Sequence, residues 1–126
     1  GAYYGMYFLE LADYCTRVNN DEREVLKLLY QSLRALTVKS IPRRLVRCIY
    51  EIRLIVANGE FPGLPQGNFS ETALYAVEFI AGTPVEKLYT FTLKEGVLAE
   101  LVQIAEKYRR DFLPGEFHTL EILETL

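Results

Sequence analysis

The stretch "SIPRRLVRCIYEIRLIVANG", Ser40 to Gly59, decides how the rest of the chain is read. At the 100° per residue of an α-helix, Arg43, Arg44, Arg47, Glu51 and Asn58 fall on one narrow polar arc. Leu45, Cys48, Ile49, Ile52, Ile55 and Val56 lie on the other side. Ser40 and Pro42 open the helix, and Gly59 stands where a left-handed C-terminal cap is expected. Arg53 breaks the pattern: it projects from the apolar face, between Val46 and Ile49, where a guanidinium is expensive unless something negative meets it.

Outward from this segment the periodicity stays helical. Tyr4, Phe8, Leu11 and Cys15 stack on one face of a first helix, with Glu10, Asp13 and Arg17 opposite. Asn19 and Asn20 stop that helix. A second begins near Asp21, with acids in its first turn and Leu26, Leu29, Leu33 and Leu36 as its expected core stripe. "GEFPGLPQGN", 59–68, holds three glycines and two prolines and reads as an irregular connection running to residue 69. Ser70 then caps a helix through Ala81. Thr83, Pro84 and Glu86 predict a capping box on a short turn, and Thr92 with Glu95 predicts another before a long helix striped by Val97, Leu101, Ile104, Ala105, Tyr108 and Phe112. "HTLEILETL", 118–126, predicts a last short helix. The expectation is an all-α, single-domain bundle of about six helices over residues 1–126, without a zinc module.

The 126 residues suffice for one hydrophobic core. No apolar run approaches the ~20 residues that span a bilayer, and the N-terminal stretch lacks the basic flank and cleavage site of a signal peptide, so a cytoplasmic location and no membrane partner are expected. Two cysteines and one histidine make no zinc cage; Cys15 and Cys48 sit on apolar faces and read as buried thiols. No cofactor is expected. A net charge of −3 argues against a surface that coats nucleic acid. Yet Lys39, Arg43, Arg44, Arg47 and Arg53 face only Glu51 between residues 39 and 53, a positive island in an acidic chain.

Enzymatic readings find little support. His118 is the single possible imidazole base, and nothing in the spacing sets it beside Ser40, Ser70 or a cysteine. "GLPQG" lacks the lysine and helix entry of a phosphate loop. Nine tyrosines without tryptophan are conspicuous, but the cluster Tyr3, Tyr4, Tyr7 and Tyr14 has only Arg17 as a nearby cation, so a core edge explains it better than base stacking. Lys107, Arg109 and Arg110 complement the dipole of a helix C-terminus.

Along the third helix, Arg43, Arg47, Tyr50 and Leu54 line one edge where polar and apolar arcs meet. By spacing alone these arginines are a solvated face with an Arg47–Glu51 pair of about 0.3–0.5 kcal/mol. The sharper reading is a basic rim beside an apolar groove, suited to an acidic peptide with an apolar end. For Arg53 a buried ion pair with Glu10 is the first explanation.

"YFLELADY" (7–14), "YEIRLIVANGEFP" (50–62), "TPVEKLYTFTL" (83–93) and "EFHTLEILETL" (116–126) together resemble the C-terminal helical domain of RecO, a bacterial recombination mediator. The resemblance runs in order over nearly the whole chain. It implies a non-enzymatic DNA repair and recombination domain, normally preceded by an OB-fold, so this chain is expected to be one part of a larger, nucleoid-associated protein. Partners implied are the acidic tail of single-stranded-DNA-binding protein and RecR, in support of RecA loading and strand annealing, with single-stranded DNA held mainly by the OB-fold. Many relatives carry a four-cysteine zinc module after the third helix; "GEFPGLPQGNFSETA" here has none. The resemblance makes Lys39, Arg43, Arg44, Arg47, Tyr50 and Leu54 the expected partner-binding set, with Glu10, Glu51 and Arg53 as scaffold. The alternative is the ligand-sensing helical domain of a transcription regulator, which would hold a closed apolar cavity.

Overall fold

The computed structural model describes residues 2–18, 21–113 and Leu123. Five α-helices and one 3₁₀ turn follow in order among them: α1 (Ala2–Val18), α2 (Glu22–Ala35), α3 (Arg43–Ala57), α4 (Glu71–Gly82), the turn Val85–Lys87, and α5 (Glu95–Phe112). The protein is all-α, as its periodicity predicts. The helix expected over 118–126, with His118, lies outside the described residues apart from Leu123, which is buried against the core.

α3 is the hub. It packs on α1, α2, α4 and α5, and from Leu45 to Ile55 only Arg47 and Arg53 keep partial access to solvent. A helix covered on all sides has no exposed edge between its polar and apolar arcs. It ends as expected: Gly59 takes φ +75°, the Glu60 N–H donates to the Ile55 carbonyl at 3.0 Å and the Gly59 N–H to Val56 at 3.0 Å. This pair of bonds is the Schellman closure, which satisfies carbonyls the helix cannot reach itself.

α2 lies between α1 and α3, and its buried stripe is Val25, Leu28, Ser32 and Ala35 rather than the leucines. The stripe is rotated by one residue from expectation because two neighbours share this helix. Leu29, Leu33 and Leu36 are half-buried, and Leu26 is exposed. Asp21 caps α2 by accepting from the Glu24 N–H at 3.3 Å. Ser70 caps α4 in the same way through Ala73, and Glu100 of α5 holds both the N–H and the hydroxyl of Ser70 at 2.8 Å. The two predicted capping boxes do not form. The 3₁₀ turn starts from Pro84 and α5 from Lys94, neither with a side-chain cap; Thr83 instead gives its carbonyl to Arg53.

The connection after α3 is pinned to α5. The Tyr108 hydroxyl donates to the Gly63 carbonyl at 2.7 Å, and Phe61 meets the Tyr108 ring edge-on. Cys15 and Cys48 are buried free thiols, and burial pushes the Cys48 thiol up to about 12.

Candidate functional site

The cationic stretch 39–53 divides into residues that serve the scaffold and residues on the surface. Glu51 is 1% exposed and gathers three side chains from three helices. Tyr7 of α1 donates its hydroxyl at 2.5 Å, Arg47 pairs through Nε at 3.3 Å, and Arg109 of α5 approaches to 3.5 Å. The Arg47 guanidinium also lies over the Tyr7 ring, 5.3 Å from its centroid. The two guanidiniums offset the cost of burying this carboxylate, and the tyrosine supplies a further donor. Burial first, then the Glu51 charge, raises the Tyr7 phenol above its ordinary range.

Arg47 is thereby held in the scaffold. Tyr50 and Leu54 are each 0% exposed: the Tyr50 hydroxyl donates to the Phe8 carbonyl at 2.6 Å and its ring stacks on Phe8 at 4.1 Å. These two residues belong to the core and cannot line a surface groove. The sequence held a signal for this outcome, since Tyr50 borders the polar arc and Leu54 falls inside it, between Arg43 and Arg47, so the arc is not an unbroken solvated face. Arg109, read from sequence as a dipole partner, is the missed member of the cluster; nothing local in "KYRRD" marks it as inward-facing.

Arg53 also departs from expectation. It forms no ion pair with Glu10 among the described residues. Its Nη1 donates to the carbonyls of Ile80 at 2.9 Å, Ala81 at 3.5 Å and Thr83 at 2.6 Å, the open C-terminal end of α4. The negative partner is a helix terminus, where unsatisfied carbonyls and the macrodipole both favour a cation. Burial lowers the Arg53 pKa, and the charges that counter it come from Glu24 and Glu86.

Lys39, Arg43 and Arg44 are exposed. They flank two kinds of depression. Between α1, α3 and α5 a cleft of about 90 Å³ is lined by Tyr4, Arg44, Arg47, Glu51, Glu106 and Arg109; it is too small and too charged for the drug-sized ligand of a sensor domain, which needs roughly 300–1,000 Å³ of mostly apolar space. At the α2–α3 turn a hollow of about 380 Å³ has Leu36, Val38, Ile41 and Pro42 as its apolar lining, with Lys39 and Arg43 on it. A second hollow of about 230 Å³ shares Thr37, Val38 and Ile41 with the first and adds Arg34, Glu86 and Tyr89. The two form one groove around Val38 and Ile41, with three cations against one acid. Its floor was overlooked in the sequence, although two β-branched apolar residues in a turn, "LTVKSIP", are a usable sign.

Among the described residues no cluster of His, Cys, Asp and Glu is placed to hold a metal ion, and no helix is long and apolar enough to cross a membrane. No curated protein and no solved structure matches the chain. Residues 1–68, which carry α1, α2, α3 and most of the following connection, match the family described as "Recombination protein O C terminal". That match covers more than half of the 126 residues, and the chain belongs to the family of recombination protein O C-terminal domains, a recombination- and repair-related group.

Proposed function

We propose that this domain is a non-enzymatic recombination mediator module that captures the acidic, phenylalanine-ended tail of single-stranded-DNA-binding protein in the groove at the α2–α3 turn. In this reading Val38, Ile41, Leu36 and Pro42 receive the apolar end of the tail, and Lys39, Arg43 and Arg34 meet the acids upstream of it. Arg44, at the opening of the neighbouring cleft, extends the positive surface. RecR and RecA enter as the pathway partners that the family implies, and single-stranded DNA is held by an OB-fold elsewhere in the protein.

The observation that carries the reading is the juxtaposition of an apolar groove with three cations in a chain whose net charge is −3. Cations without a hollow would give only weak steering, and a hollow without cations would not prefer an acidic tail. A synthetic acidic peptide ending in Ile-Pro-Phe binds at micromolar strength, about −8 kcal/mol, and more weakly as salt is added. Replacing Lys39 and Arg43 together by Glu weakens binding by about tenfold or more, because each attractive contact becomes repulsive. Unchanged affinity in that double variant refutes the groove assignment.

A further inference from the structure

α4 carries a second apolar hollow, with no charged residue in its lining and with acids but no bases elsewhere on the helix. Thr72, Tyr75, Ala76 and Phe79 of α4 face Phe91 and Leu93 of the extended segment before α5 across about 240 Å³. Phe79 and Phe91 meet edge-to-face at 5.2 Å, which fixes one wall. Tyr75, at the mouth, is 68% exposed, more than any other large apolar side chain among the described residues. The volume lies below the roughly 300 Å³ at which drug-sized ligands begin to fit and matches one or two amino-acid side chains.

The surroundings say what would enter. Glu71 and Glu78 stand four before and three after Tyr75, so both share its helical face. α4 has no basic residue, and Glu95 lies beyond Lys94 on the other side. Residues 91–93 make no backbone hydrogen bond among the described residues, so their N–H and C=O groups can pair with an extended chain. We propose that this hollow docks a short extended segment of a protein partner, an apolar or aromatic side chain seated against the Phe79–Phe91 pair and beside Tyr75, with neighbouring lysines or arginines facing Glu71 and Glu78. The site is separate from the α2–α3 groove and lies outside the residues that match the family.

The test uses a short labelled peptide in which lysines alternate with leucine and phenylalanine, a copy with glutamates for the lysines, and a copy with serines for the apolar residues. Fluorescence anisotropy on the full chain shows the first binding at least about tenfold tighter than either copy, since both the charge and the side chain are needed. Tyr75→Ala and Glu78→Lys each weaken it severalfold, and both lie on the surface, so thermal unfolding confirms that the variants fold. Amide shifts on titration concentrate at Tyr75, Phe79 and 91–93. Equal binding of the glutamate copy, or indifference to Tyr75→Ala, overturns the proposal. So does a dimer that forms on concentration and is lost in Tyr75→Ala, which would assign the hollow to a second copy of the chain.

Discussion

Two halves of one cationic stretch behave in opposite ways. Lys39, Arg43 and Arg44 are on the surface, whereas Arg47 and Arg53 spend their charge inside the protein, one on Glu51 and the other on the end of α4. The residues are chemically alike and lie within fifteen positions. What separates them is that α3 enters the bundle at Leu45 and is covered by four other helices from there to Ile55. A count of charges therefore overstates the binding surface, and helical phase alone does not correct it. The covering elements decide which cations are available to a partner.

Substitutions in the inner half should lower stability, those in the outer half should lower only binding, and each prediction is a way to break that division. The largest effect is expected from Glu51→Ala, which leaves two guanidiniums and a phenol around an apolar gap; removing one partner of a buried pair costs about 3–5 kcal/mol, read as a fall in the midpoint of urea or thermal unfolding. Arg53→Met removes a cation that caps α4 and should cost about 1.5–3 kcal/mol, the scale of hydrogen bonds to a charged group. Helical content near α4 should fall first, visible as faster amide exchange at Ile80 to Thr83. If either variant unfolds like the parent, the inner half is not scaffold.

Lys39→Glu with Arg43→Glu should leave unfolding within about 0.5 kcal/mol of the parent, as surface changes do. The smallest effect concerns Glu100. The Ser70 N–H first, and its hydroxyl second, hold the Glu100 carboxyl below the usual carboxylate range. A depressed folded-state pKa adds stability above the unfolded value and loses it as pH falls through the folded one. Glu100→Gln should therefore lower stability slightly near neutrality and leave it unchanged in acid below the folded-state pKa, so that the acid limb of the stability profile flattens.

The sequence made α2, α3 and α4 legible because each has a capping residue or a glycine stop at a fixed offset: Asp21, Gly59 and Ser70 act as their chemistry requires. It was less informative about which side of a helix is covered. α2 is rotated by a residue because two helices contact it, and Tyr50 and Leu54 moved from a proposed rim to the core because α5 and α1 close over α3. Arg53 was recognised as a residue needing a negative partner, but carbonyls at a helix end have no side-chain signature, so Glu10 was the nearest visible choice. The groove at Val38 and Ile41 was legible in composition only, as apolar residues inside a turn. Glu51 was assigned to scaffold by its family motif, yet its partner Arg109 comes from fifty-eight residues downstream, a pairing only the fold reveals.

The central claim is that the surface half of the cationic stretch, together with the apolar groove beside it, is where an acidic chain end is held. Amide chemical-shift mapping of the isotopically labelled chain, titrated with the acidic peptide ending in Ile-Pro-Phe, tests it most directly. The account predicts perturbations concentrated over Leu36 to Arg44 and at Tyr89, with Tyr50 and Leu54 unmoved. Perturbations confined to the cleft around Tyr4, Arg47 and Arg109, or no saturable change at all, would contradict it.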